Sequence, residues 1–242
     1  MFVKVLLIFA AVAGFVTAEV PSYIQICGAK NPNLDQCVIN SVNALAKVLE
    51  SGIPELGVPA SNPFVLEELT LADLPNFKAI GHNVKVYGLP TYNIESLHLN
   101  LDEKFITMKL LFKDIHMVAD YDLNAKILIP ISGKGPISMN AQDVVARVKM
   151  SFKLVQRGSK RYMYFNSMQM KLDAKDFDLK FESDHLDKTL QDAFMQALGS
   201  SHQEVLEFSM PYIEKAISEK CLDLANKICK RYSYEEFFPD RE

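Results

Sequence analysis

The sequence predicts an α+β protein in which a long, strongly curled antiparallel β region lies between an amphipathic N-terminal helix and a long C-terminal helix. Three observations predict it. From about Ile80 to Phe181 the apolar residues recur mainly with a period of two, the period of strands. Before and after that region the period is helical. Within it the apolar phase changes twice, which calls for bends.

The chain opens on a segment that reads as a cleaved signal peptide. Met1 to Ala18 carries one positive charge, Lys4, then an apolar run from Val5 to Val16, with Val16 and Ala18 placed for cleavage before Glu19. The run is too short to span about 30 Å of hydrocarbon, and no other stretch reaches the roughly 18 apolar residues of a membrane helix. The expected mature chain is exported and makes no stable membrane insertion. It is long enough for one sizeable core or two small ones packed together, and length does not choose between them.

With 26 Lys and Arg against 30 Asp and Glu, the formal net charge is −4, and no basic block is longer than Lys230-Arg231. On net charge, nucleic acid and anionic membranes are poor partners. The 49% hydrophobic content and ten glycines exclude a disordered or low-complexity chain. No solenoid repeat is visible.

Cys27 and Cys37 enclose Gly28, Asn31, Pro32 and Asn33, residues that turn a chain, so an oxidising exterior predicts a Cys27–Cys37 disulfide. Cys221 and Cys229 lie eight residues apart in a helical pattern, about 12 Å along a continuous helix, beyond the roughly 7 Å that a bridge allows. They are read as small buried apolar side chains rather than as metal or redox groups.

From Leu34, the positions Val38, Val42, Leu45 and Leu49 follow helical spacing, with Asp35 at the start and Gly52 and Pro54 as stop signals. Ile53 to Pro63, with its prolines and glycines, is expected to run as an extended connector. In the β region, Leu97, Leu99 and Leu101 alternate with polar residues, as do Ile115, Met117, Ala119 and Tyr121, so each strand has one wet face. Hairpin turns are expected at Gly88-Leu89-Pro90, Gly133-Lys134-Gly135-Pro136 and Arg157-Gly158-Ser159.

The first phase change, from Ile137, Met139 and Ala141 to Val144, Ala146, Val148 and Met150, predicts a bulge or bend near Gln142-Asp143. The second separates Tyr162, Tyr164, Met168, Met170 and Leu172 from Phe177, Leu179 and Phe181. A short helix through Leu186, Leu190, Phe194 and Leu198 follows, then a stripe of Leu206, Met210, Ile213, Ile217, Cys221, Leu224 and Ile228 over about six turns. Val205, Tyr212, Ala216 and Ala225 widen that stripe, which suits a helix wrapped by other elements. Pro211 either kinks it or marks where its regular part begins.

The cysteine pair, Gly52-Ile53-Pro54-Glu55-Leu56-Gly57-Val58-Pro59, Asn62-Pro63, Val86-Tyr87-Gly88-Leu89, Tyr121 ahead of Lys126-Ile127-Leu128-Ile129-Pro130-Ile131-Ser132-Gly133-Lys134-Gly135, and the terminal Phe237-Phe238-Pro239 appear in that order. The chain resembles the takeout and haemolymph juvenile-hormone-binding-protein family of insects over nearly all of the mature sequence. The resemblance implies a curved antiparallel sheet rolled around one long C-terminal helix, the lipid-binding super-roll, with an apolar tunnel and a carrier role over residues 19–242. Two positions depart from the family pattern: Asn62 stands where an aspartate usually precedes the proline, and Ala125 where glycine is usual. The sheet-side cysteine of the hormone-binding branch's second disulfide is absent, which weakens juvenile hormone itself as the ligand.

No constellation for catalysis is found: there is no Gly-x-Ser-x-Gly, His-Glu-x-x-His or Gly-x-Gly-x-x-Gly. Gly133-Lys134-Gly135-Pro136 resembles a phosphate loop only superficially, and the five histidines are scattered, with His98 and His116 on wet phases. No enzyme activity, cofactor or metal is expected, and the chain is expected to act as a monomer. Seven methionines lie between Met108 and Met170, and flexible thioethers suit an adaptable apolar cavity. The same methionines could fill a plain core, and it is the resemblance that turns them toward a tunnel. Its expected lining is Met108, Phe112, Met117, Tyr121, Ile129, Met150, Met168, Met170, Met210 and Ile217. A buried Tyr121 phenol needs a partner, either a ligand's polar end or a backbone carbonyl. A carrier for a small hydrophobic ligand of terpenoid, fatty acyl or quinone type is the expected function. A secreted signalling or receptor-docking protein is the alternative, and a secreted hydrolase stands behind both.

Overall fold

The computed structural model describes residues 20–126, 130–182, 196 and 202–242. Residues 1–19, Ile129, and the positions Leu186, Leu190, Phe194 and Leu198 that were expected to lie on a short helix are outside the described residues. Helix α1 spans Leu34–Ser51 and stops at Gly52, whose N–H reaches the Leu49 carbonyl at 3.1 Å. The connector that follows is not merely extended. Ile53 and Val58 pair across a 3₁₀ turn at Pro54–Leu56 and bury both side chains.

Seven strands form one antiparallel sheet: β1 Phe64–Leu74, β2 Phe77–Tyr87, β3 Asn93–Asn100, β4 Phe105–Lys126, β5 Pro130–Arg157, β6 Lys160–Asp173 and β7 Asp176–Phe181. The order is β1-β2-β4-β5-β6, with β3 on β4 and β7 on β5. The 22-residue β4 and 28-residue β5 are a continuous ribbon that changes partners midway. One half of it pairs with β3 and β6, the other with β2 and β7.

The exchange falls at the expected bend. Ile115↔Ala141 and Phe112↔Val144 keep a constant register across it. Asp143 adopts a φ of 51°, and both strands swap their inward phase there. The bend is therefore shared by two strands and needs no extra residue between them. A similar flip in β1 and β2 accompanies Asn83, with φ 52° and a register shift against β4.

Several sequence expectations about the β region are corrected. The β region begins at Phe64, not near Ile80. Gly133-Lys134-Gly135-Pro136 is not a hairpin turn but lies inside β5, paired with Asp120 to Leu123. Glycine is needed there because a Cβ on Gly135 would come within 2.2 Å of the Glu182 carbonyl and 3.4 Å of the Tyr121 ring. Finally, Tyr162 and Tyr164 do not share the inward phase of Met168. A register shift beside Ser151 and Phe152 turns Met163 and Phe165 inward instead, and leaves Tyr164 at 44% exposure. The second phase change is a break between two strands, β6 and β7. Of the other two expected hairpin turns, Gly158 leads the β5–β6 hairpin, but Gly88 leads a 3₁₀ turn between β2 and β3, which both pair with β4 and not with each other, so no hairpin forms there.

Helix α2, His202–Cys229, contains Pro211 and packs on both β6 and β1, so it closes the gap left by the curled sheet. A short helix α3, Tyr234–Phe237, follows it. The Cys27–Cys37 disulfide is formed, and its loop grips the C-terminal tail. Cys27, Ala29 and Lys30 donate their N–H groups to Phe237, Pro239 and Arg241 carbonyls at 2.9 to 3.1 Å. A Cβ on Gly28 would lie 2.2 Å from the Arg241 carbonyl, so the tail crosses where only glycine fits.

Candidate ligand-binding site

Period-two alternation and the shared bend give the sheet one apolar inner face in two halves. In the β3–β6 half, cross-strand rows run Leu97–Met108–Val148–Met170 and Leu99–Ile106–Met150–Met168. In the other half, Phe64, Val86, Met117 and Met139 form a comparable row.

Helix α2 serves both halves. Ile213, Ala216, Cys221 and Leu224 pack on the Phe64, Val84 and Met117 cluster, while Leu222, Ala225 and Cys229 pack on the cluster around Leu97, Val148 and Met150. Ile228 is buried with Ile53 and Tyr232. Burial pushes the Cys221 thiol up to about 11 and the Cys229 thiol to about 12. Both cysteines are free, as the unbroken helix requires.

The apolar stripe read from the sequence omitted a polar seam that fixes the helix in place. Glu214, 6% exposed, accepts from the Leu172 N–H at 2.9 Å and from Lys171 Nζ at 2.8 Å. Three turns on, Asn226 accepts from the Phe165 N–H at 2.8 Å and donates to the Phe165 carbonyl at 2.9 Å. Both residues use side chains to complete the outer edge of β6, which would otherwise present unpaired backbone groups. Asp35 does the same from α1, accepting from the Leu99 N–H at 2.8 Å and meeting His98 at 3.0 Å. The signal available in the sequence was the spacing of Glu214, Ser218 and Leu222, four residues apart.

Between α2 and the inner face of the β3–β6 half lies a cleft of about 790 Å³, within the usual size of small-molecule sites. Met108, Val148, Met168 and Met170 wall it from the sheet, and Pro211, Glu214, Ser218 and Leu222 from the helix. Lys109, Arg147, Lys149 and Lys171 also border it, although their strand phase is the outward one.

Three of the ten predicted lining residues, Met108, Met168 and Met170, are thus on the wall. Met150 and Phe112 are buried in the same half, beside it in the core. Met117 and Tyr121, 7% and 9% exposed, lie beyond the bend. There Ile213, Ala216, Cys221 and Leu224 of α2 pack on the cluster in which Met117 is buried. Met210 and Ile217 are half-buried on α2 and outside the cleft wall, and Ile129 is not among the described residues. Tyr92, missed in the sequence, seats α1 on this half. Its hydroxyl donates to the Val42 carbonyl at 3.2 Å, and burial raises its pKa to about 12.

The match to known proteins decides what this architecture is. The family model for haemolymph juvenile hormone binding protein matches residues 5–239. The chain belongs to that family. Among solved structures, the crystal structure of Epiphyas postvittana Takeout 1 superposes with a TM-score of 0.77 at 17% identity, covering 89% of this chain and 100% of that one, so the two share a fold. A crystal structure of lipopolysaccharide binding protein matches at a TM-score of 0.35 and 13% identity, covering 82% of this chain and 40% of that one, too weak to bear on the fold. No curated protein matches the sequence. Among the described residues no helix is long and apolar enough to cross a membrane, and no three His, Cys, Asp or Glu side chains gather as a metal site.

Proposed function

We propose that this protein is a secreted, monomeric carrier of long apolar molecules of terpenoid, fatty acyl or quinone type, held against the inner face of the curled sheet. The methionine-walled cleft of about 790 Å³ beside α2 is the observation that carries this reading. Membership of a family named for binding a hormone supports it, and so does a leader followed by a disulfide, which suits export to an oxidising compartment. Thioethers at Met108, Met168 and Met170 can shift rotamer to follow ligands of different shape. Burying a ten-carbon chain contributes about 8 kcal/mol at about 0.8 per methylene, so with at least about 4 kcal/mol lost to association only chains of about fifteen carbons or more reach micromolar affinity.

The test is organic extraction of the purified protein followed by mass spectrometry, paired with titration of the stripped protein by a panel of long-chain acids, terpenoids and quinones. Roughly one lipophile per chain and saturable binding are expected. An empty extract together with no binding across the panel would overturn the reading.

A further inference from the structure

From Val144 to Leu172 the chain carries Arg147, Lys149, Lys153, Arg157, Lys160, Arg161 and Lys171 and not one Asp or Glu, although the whole chain is net −4. Folding puts all of these cations except Arg161, which shares the phase of Met163, on one surface, the outward face of the β5–β6 ribbon, because the inward phase is occupied by Val148, Met150, Phe152, Met163, Met168 and Met170. Lys109, Arg147 and Lys171 stand directly opposite one another across three strands.

Some of these charges are matched. Lys109 meets Glu95, Lys171 meets Glu214, Lys160 meets Glu236 and Arg161 meets Glu235, all within 3.1 Å, while Arg147 has Asp173 only at 4.0 Å. Lys149, Lys153 and Arg157 lie over aromatic rings instead, at 4.9, 5.4 and 5.1 Å from Phe105, Tyr164 and Tyr162. A ring face holds a cation in place without cancelling its charge.

We propose that this outward face docks on anionic lipid bilayers. Net charge argues against such a partner, but attraction at a surface is set by the local charge within a screening length, and there it is positive. Exposed tyrosines set among lysines and arginines are the side chains that sit at the headgroup level of membranes, and Tyr164 is 44% exposed. An acidic protein would offer no comparable place for the phenol rings. The placement is also apt, because Arg147, Lys149 and Lys171 border the cleft, so a docked molecule would hold that cleft near the bilayer. The docking itself does not depend on the carrier reading.

Flotation of the full chain with vesicles tests this. Phosphatidylcholine vesicles containing roughly one-third phosphatidylserine should carry the protein up the gradient at low salt, and pure phosphatidylcholine vesicles should not. Binding should vanish near 1 M salt, where the screening length falls to about 3 Å. The triple variant Lys149→Glu, Lys153→Glu, Arg157→Glu should lose on the order of a hundredfold or more in partitioning, from about fivefold for each basic side chain near the surface. The neutral triple Lys149→Gln, Lys153→Gln, Arg157→Gln keeps the test decisive if charge reversal impairs folding, and it should lose a similar order.

A control with the same charge change elsewhere, Lys47→Glu, Lys78→Glu, Lys85→Glu, should bind within a fewfold of the parent. Absence of binding to the anionic vesicles, equal binding to neutral ones, or an equal loss in the control would each overturn the proposal. So would capture by polyglutamate without vesicle binding, which would assign the face to an acidic protein.

Discussion

Asn226→Ala removes the clamp between the long helix and the sheet edge, and its cost can be worked from the contacts. The side chain makes two hydrogen bonds to one residue of β6, accepting from the Phe165 N–H at 2.8 Å and donating to the Phe165 carbonyl at 2.9 Å. Truncation leaves both backbone groups without protein partners in a half-buried setting. At about 1–3 kcal/mol for each group so stranded, with partial relief from water at the open edge, the loss should be about 2–4 kcal/mol. For a chain of this size that corresponds to roughly 5–15 °C in Tm.

Asp223→Ala on the same helix breaks only the exposed pair with Lys227 at 2.8 Å and should cost under about 0.5 kcal/mol. Thermal and urea melts of the three proteins, read by circular dichroism, make the comparison. An Asn226→Ala protein melting within 1 °C of the parent would refute the view that side chains of α2 complete the edge of β6.

Replacing both Cys27 and Cys37 by serine should cost about 2–3 kcal/mol for so short a loop. It should also speed hydrogen exchange at the Ala29 and Lys30 amides, which hold the tail. Because burial raises the Cys221 and Cys229 thiols to about 11 and about 12, their protonated forms favour the folded state. That contribution is whole below the unfolded pKa near 9 and is lost as pH rises through 11 to 12. Raising the pH from 9 to 11 should therefore lower Tm more in the parent than in the Cys221→Ala, Cys229→Ala double variant, and a thiol reagent at pH 8 should label the parent only in denaturant.

Legibility in the sequence followed the regularity of the backbone. Leu97, Leu99, Ile115, Met117 and Tyr121 alternate without interruption, and the structure buries or half-buries them as that pattern requires. The bend at Asp143 was visible because it shifts the apolar phase of a long strand. In β1 the buried residues are Phe64, Leu66, Leu69 and Ala72, spaced by two, three and three, so two irregularities give a strand a nearly helical pattern. Tyr162 and Tyr164 were misplaced because the shift beside Ser151 lies in the pairing of two strands, and neither strand shows it alone.

Gly135, which made Gly133 to Pro136 look like a turn, is a glycine for a reason outside the segment, the approach of the Glu182 carbonyl and the Tyr121 ring. At the site, the methionines could be listed from phase. Which of them meet empty space depends on where α2 touches the sheet, and that is set by Glu214 and Asn226, polar residues that a search for apolar stripes passes over.

The carrier claim is tested most directly at Met168, which stands on the cleft wall and is only partly buried, so a larger ring can occupy the ligand's space without overfilling the core as it would at Met150. Met168→Trp should keep the parent's circular dichroism and a Tm within a few degrees, and weaken displacement of a fluorescent long-chain probe by at least tenfold. A folded Met168→Trp protein that binds the full ligand panel with unchanged affinity would contradict the assignment of this cleft as the cargo site.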